Sequence, residues 1–394
     1  MQLNQHFSRR YYVFLILFLG LLSAFGPFVT DMYLPTLPSM KEVFHTTTSI
    51  VQMGLTTSML GLAIGQVFFG PLSDKYGRRS VLVIAMILYS VSTVISIFSP
   101  SIEFFNACRF FQGLGGAGGI VLSRSIATDC YTGKDLAKTL AIVGAVNGVA
   151  PVTAPVIGGL VAEWTGWQGI FWILFGLGLI LLFMCLIFRE SLAVDNRHKG
   201  SVISLLKGFP QLLKNKRFTI LIIFFAFTSA VLFAYISSAS FIIQNYFGYS
   251  ELTFSLIFGI NAVGIALGSA LALRFRQLFS AALYGAIGIT LAAFLQFAVH
   301  LIHDSFIFYE SLTFLMLTFT GFIFTSTTTL AMDEGRSHIG VASAIGGASG
   351  FLFGGIVSPL VGLGNIMTST TVILSLASLI ALSAALYLRF KLKL

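Results

Sequence analysis

Gly70-Pro71-Leu72-Ser73-Asp74-Lys75-Tyr76-Gly77-Arg78-Arg79 is a charged, glycine-bounded island between two apolar runs, at about 47–70 and 80–99. Each run is close to the roughly 20 residues a helix needs to cross hydrocarbon. Working outward, ten more such runs appear, at about 11–34, 101–123, 137–161, 168–188, 218–242, 252–273, 278–301, 306–330, 339–362 and 367–388. They are too long and too uniformly apolar for the period-two strands of a membrane barrel. The pattern therefore predicts an all-α membrane protein with twelve transmembrane helices. Composition agrees. Of 394 residues, 56% are hydrophobic and 9% charged, and the mean hydropathy is +0.93. So few charges cannot clothe a water-facing surface.

Lys and Arg fix the expected orientation. If the N-terminus lies inside, all but two of the 23 basic residues fall on inner segments. The inner groups include Arg9 and Arg10, Arg124, Lys134 and Lys138, Lys207, Arg336 and Lys393. Only Lys41 falls outside, and only Arg109 falls within a span. The positive-inside rule then places both termini in the cytoplasm and requires an even number of spans. The apolar run after Arg10 reaches Asp31 without a small-residue cleavage site, so it reads as the first span rather than a removed leader. A basic connector at 191–217 divides the chain into an N-terminal six-helix half, 1–190, and a C-terminal six-helix half, 218–394. Two six-helix halves around a midplane site are a recurrent transporter plan.

Other classes fit poorly. The +9 charge lies between apolar runs and serves topology, and no polar stretch is long enough to form a nucleic-acid groove. Cys108, Cys130 and Cys185 show no metal or disulfide spacing, so no metal and no cofactor are expected. No cluster of His, Asp or Glu suggests a membrane enzyme. Gly113-Leu114-Gly115-Gly116-Ala117-Gly118 spells a dinucleotide-binding string, but it lies inside an apolar span, where helix packing explains it better.

Three motifs carry a family resemblance. The 70–79 island resembles the G-x-L-a-D-r-x-G-r-k signature of the major facilitator superfamily, in the same place after span two. Its two glycines, Gly70 and Gly77, read as a tight turn. Asp74, Arg78 and Arg79 read as ion-pairing members of an inner gate. Arg109-Phe110-Phe111-Gln112-Gly113-Leu114-Gly115 is similar to that superfamily's R-x-x-q-G-x-g in span four. Asp31-Met32-Tyr33-Leu34-Pro35 resembles the D-x-Y-L-P end of span one in its Bcr/CflA drug-resistance branch. Span five carries an altered antiporter motif: Pro155, Gly158 and Gly159 are in place, Ala141, Ala150 and Ala154 stand where glycines would, and Pro151 adds a second proline.

The resemblance implies a major facilitator fold and proton-coupled antiport that expels small drug-like molecules across a bacterial inner membrane. The alternative is import or export of one metabolite. A monomer is implied, with protons, a small-molecule substrate and the lipid membrane as its partners. A buried Arg109 needs a partner at membrane depth, and Asp31 is the expected one, the two forming the proton-coupling pair. The cavity is expected to be walled by Phe28, Tyr33, Gln112, Phe227, Tyr235, Phe314 and Met316. Asn147 and Asn261 add polar contacts, and Glu310 is a second candidate acid. Small-residue pairs Gly61/Gly65, Gly144/Gly148, Gly264/Gly268 and Gly346/Gly350/Gly354 are expected at the seam between the halves.

Overall fold

The structure, a computed structural model, describes residues 9–200, 208–336 and 339–392. Lys207 and Lys393, and the side chains of Arg9, Lys134, Ala141 and Asn147, lie outside the described residues. Ten helical stretches are long and apolar enough to cross a membrane. One of them, Lys138–Ile187, is broken at Gly166, where φ is +64°. Only glycine adopts that conformation readily, and the chain reverses there, so the stretch is two spans. Ile102–Cys130 completes the twelve. It is less apolar because it carries Asn106, Arg109, Gln112 and several glycines, but those polar groups are turned into the bundle.

The spans are α1 (Arg9–Asp31), α2 (Thr48–Tyr76), α3 (Arg78–Ile97), α4 (Ile102–Cys130), α5 (133–165), α6 (167–187), α7 (Lys216–Ser240), α8 (Glu251–Ala272), α9 (Leu278–Ile302), α10 (Phe306–Glu334), α11 (Ile339–Leu360) and α12 (Ile366–Lys391). No strand occurs among the described residues. Ile84, Phe183, Leu291 and Ile307 are each more than half exposed, which only lipid makes tolerable in such numbers.

Helices α1–α6 pack among themselves, with α4 between α2 and α3. Helices α7–α12 repeat the arrangement, with α10 between α8 and α9. Among the described residues the most extensive packing between the halves is of α2 with α11 and of α5 with α8. They exchange places under the same internal two-fold relation.

Two expectations need correction. The 70–79 island is not a loop. Helix α2 continues through Gly70 to Tyr76, and only Gly77 turns the chain, with φ of +95°. The polar last turn of a long helix can project past the hydrocarbon, so loss of hydropathy did not mark its end. The small-residue pairs are also mostly not at the seam. A Cβ on Gly61 or Gly65 would strike α4, on Gly264 or Gly268 α10, and on Gly350 or Gly354 α7, each within its own half. Gly144 and Gly148 have nothing within 4 Å. The seam instead uses Gly347 against Gln66, Gly355 against Thr56, and Gly159 against Ser255.

Candidate transport site

The bundle has a basic face, where α1 starts, and a far face, where α1 ends. At the far face one apolar core joins both halves. It includes Tyr33, Leu55 and Phe171 from the first half and Tyr235, Ile242, Phe258 and Tyr309 from the second. Toward the basic face the core splits into separate clusters, one in the first half and a large and a small one in the second. Between these lies a cavity of about 490 Å3, lined by Gln66, Asp74, Arg124, Thr128, Phe209, Ser343 and neighbours.

Hydrogen bonds follow the same division. Near the far face Ser49 Oγ donates to Pro359 O (2.9 Å), Gln52 Nε2 to Ser237 O (2.9 Å), Thr56 Oγ1 to Gly355 O (2.9 Å) and Gln244 Nε2 to Pro35 O (2.8 Å), all between halves. Near the basic face Arg124 reaches Ser343 at 3.3 Å. The molecule is thus sealed at the far face and open at the basic one.

Arg109 is fully buried in the first half. Its guanidinium donates to Val29 O (2.8 Å) and to Gln112 Oε1, and it lies 4.3 Å from the centre of the Tyr33 ring. Gln112 passes the network on to Thr93 Oγ1 at 2.8 Å. No ion pair joins Arg109 to Asp31 among the described residues, which corrects the expected contact. Val29 sits in the last turn of α1, where a carbonyl has no intrahelical donor, and that carbonyl takes the guanidinium. Asp31 is buried and accepts from Thr30 Oγ1 at 2.7 Å.

In the second half, Asn261 Nδ2 donates to Tyr235 Oη (2.9 Å) and to Glu310 Oε1 (2.7 Å). Three residues named separately from sequence thus meet across α7, α8 and α10. Tyr33 and Gln112 lie inside the first half rather than on the cavity wall, and Met316 lies inside the second. Phe28 rests half-buried on the shared far-face core, and Phe227 packs on Phe353 at 4.9 Å. Phe314 lies close to Gly264 on α8.

At the basic face, Arg78 ties α2, α3 and α4 together. It bonds Asp74 (2.5 Å), Ser73 (2.6 Å) and Asp129 (2.9 Å). The start of α3 is closed by Glu190, just past the end of α6, which accepts from the Arg78 and Arg79 amides at 2.9 and 3.2 Å. A carboxylate there meets unpaired amides at the positive end of the helix dipole. A Cβ on Gly77 would lie 2.5 Å from Glu190 Oε2, so both its φ and its space require glycine. Arg79 reaches back to the Cys185 and Leu186 carbonyls ending α6.

Residues 13–359 match the model of the Major Facilitator Superfamily. The chain belongs to the Major Facilitator Superfamily. This facilitator is 36% identical to an uncharacterized MFS-type transporter, YdgK, of Bacillus subtilis, over 91% of this chain and 93% of that one. It is 30% identical to a bicyclomycin resistance protein homolog of Haemophilus influenzae, over 66% of each chain. It is 31% identical to a chloramphenicol resistance protein of Pseudomonas aeruginosa, over 66% of this chain and 62% of that one. Among solved structures it resembles the xylose transporter XylE of E. coli (TM-score 0.75, 16% identity, 97% and 98% covered). It also resembles a bacterial homolog of the human lysosomal transporter Spinster (TM-score 0.73, 17% identity, 96% and 98% covered). It is a multi-pass membrane transporter, not an enzyme.

Asp129, Glu190 and Ser191 complete the basic-face clasp of this facilitator, Ser191 Oγ donating to Asp129 at 2.9 Å. Reading the sequence missed all three. The available signal was charge balance, since Arg78 and Arg79 need acids on their own face and few exist there. Pro151 and Pro155 sit within an uninterrupted α5. Gly158 lets that helix meet the end of α1, since a Cβ there would overlap Met32 O.

Proposed function

We propose that this facilitator exchanges protons for small drug-like molecules and exports them, as a Bcr/CflA-type antiporter of a bacterial inner membrane. The basic face lies in the cytoplasm, with both termini, and the protein works as a monomer. The carrying observation is Asp31, a carboxyl buried at the end of α1 under the far-face seal, bonded among the described residues by the Thr30 hydroxyl and by no cation. An acid at membrane depth without a cation marks a proton path, and separation of the halves at the far face exposes it. The drug-resistance names of two partial relatives supply the cargo class.

In this cycle the cytoplasm-open cavity takes up cargo, and the halves rock about α2–α11 and α5–α8. Asp31 takes a proton from outside and gives it up inside. Arg109 does not neutralise Asp31 directly. It fixes the last turn of α1 through Val29 O and so positions the acid.

The test uses proteoliposomes with chloramphenicol as probe cargo. Wild type accumulates it when a pH gradient is imposed. Asp31→Asn retains gradient-free exchange and loses gradient-driven accumulation. Undiminished proton-driven accumulation in that variant removes Asp31 from coupling. A susceptibility screen in a pump-deleted host separates efflux from metabolite transport. Efflux predicts drug tolerance abolished by a protonophore, and metabolite transport predicts growth on one solute with no change in tolerance.

A further inference from the structure

The Tyr235–Asn261–Glu310 cluster has a chemistry that Asp31 does not account for. Asn261 is fully buried, and Tyr235 nearly so. Asn261 spends both amide hydrogens, one on Tyr235 Oη and one on Glu310 Oε1. Glu310 Oε2 and Asn261 Oδ1 are covered and have no hydrogen-bond partner among the described residues. Both are acceptors when the acid is ionised. A carboxylic acid supplies the missing donor and a carboxylate does not.

No Lys, Arg or His among the described residues neutralises Glu310. The ionisable groups within its electrostatic reach are Tyr235 on α7 and Tyr309 beside it on α10. From α8 it meets Asn261, and α9 offers Gln296, which is bonded to Tyr309 O and Thr313. Asp31 of the other half lies within electrostatic reach of Tyr235.

We propose that Glu310 carries a proton of its own, loaded and released in each cycle, so that two protons are exchanged per cargo molecule. The inference rests on the proton-coupled reading above. The cluster is built to hold either form of the acid. An Asn amide offers both donors and an acceptor, so it serves the carboxylate through Nδ2 and the acid through Oδ1. Its position is fixed by close backbone packing of α8 on α10, where a Cβ on Gly268 or Gly321 would overlap Thr318 O or Ile265 O. Tyr235 belongs to the far-face core shared by the halves. Parting that core uncovers the Asp31 side and the Glu310 side together, so both acids load from the same compartment. The competing account is a permanently neutral Glu310 that only pins three helices.

Infrared difference spectroscopy on the purified transporter separates the two without any cargo. Wild type, Asp31→Asn, Glu310→Gln and the double variant are compared from acid to alkaline pH. The expected result is two carboxylic-acid carbonyl bands, each abolished by one variant and each lost on raising the pH. No change in Glu310→Gln, or a Glu310 band that persists at every pH, overturns the proposal. Should Glu310→Gln fail to fold, Asn261→Ala identifies the Glu310 band by its shift, and its pH dependence decides. A shifted band that is lost on raising the pH supports the proposal, and one that persists at every pH, or no shifted band at all, overturns it.

In proteoliposomes with chloramphenicol, the proton-to-cargo ratio from reversal potentials is expected to fall from two to one in Glu310→Gln. An unchanged ratio overturns the second site. If wild type does not move chloramphenicol, the drug-efflux reading fails while the spectra still decide Glu310.

Discussion

Gly362 offers a direct way to force the far-face seal. It follows α11, and its φ is not in the left-handed region, so alanine is conformationally allowed. Its new Cβ would lie 2.8 Å from Ser49 N and Cα, and 2.2 Å from Gln52 Oε1. The Ser49 atoms are backbone on α2 and cannot rotate away, and the Gln52 amide is held by Ser237 O. Overpacking of this kind costs about 1–3 kcal/mol. The cost falls on the sealed state alone, because opening the far face carries α2 away from the end of α11. The open-to-sealed ratio is therefore expected to rise about 5- to 150-fold.

The assay places a cysteine at Ser237, which is fully buried in the sealed form, in a background where Cys108, Cys130 and Cys185 are alanine. A membrane-impermeant maleimide is added from the far side, and the labelling rate rises in proportion to the open population. Gly176→Ala on α6, with nothing within 4 Å of the new methyl, leaves the rate unchanged. A folded, monodisperse Gly362→Ala protein whose rate stays within about twofold of its parent refutes the reasoning, because the α2–α11 contact then does not hold the seal.

Arg78→Ala strips two carboxylates of their shared guanidinium at the basic face. Truncating a buried pair costs 3–5 kcal/mol, but both acids here keep some solvent, so about 1–3 kcal/mol is expected. It should appear as a lower melting temperature that Arg78→Lys partly restores, and an unchanged value removes the clasp as a stabilising element. Gln112→Leu leaves a buried Arg109 nitrogen without its acceptor. About 1–3 kcal/mol of stability should go with it, measured by thermal unfolding of the detergent-purified protein. Wild-type stability in that variant indicates that the guanidinium finds another partner.

The twelve crossings were legible because hydrocarbon imposes one length on every span, and α4 was legible despite its polar residues because the apolar surroundings persist. Helix ends were harder to read. Helices α2, α4 and α10 run on to Tyr76, Cys130 and Glu334, since a polar turn at the membrane surface costs a helix nothing. The glycine pairs announced close approach but not its partner, because spacing along one helix carries no information about the neighbour. The expected Asp31–Arg109 pair failed on a local detail. A free carbonyl two residues earlier, Val29 O, takes the guanidinium without burying two charges face to face. The Asn261–Glu310 contact could not be read from either helix alone, because it depends on how α8 settles on α10.

The Glu190 bridge has a bearing on how the protein is made. The acid that closes the start of α3, the Ser191 hydroxyl on Asp129 and the His198 amide on the Asp74 carbonyl are all supplied from beyond α6. A nascent chain that has threaded only six helices into the membrane still lacks these stitches. Its first half matures when the ribosome has delivered some ten residues more, so the connector is the last tailor of the half it leaves rather than a mere thread to the half that follows.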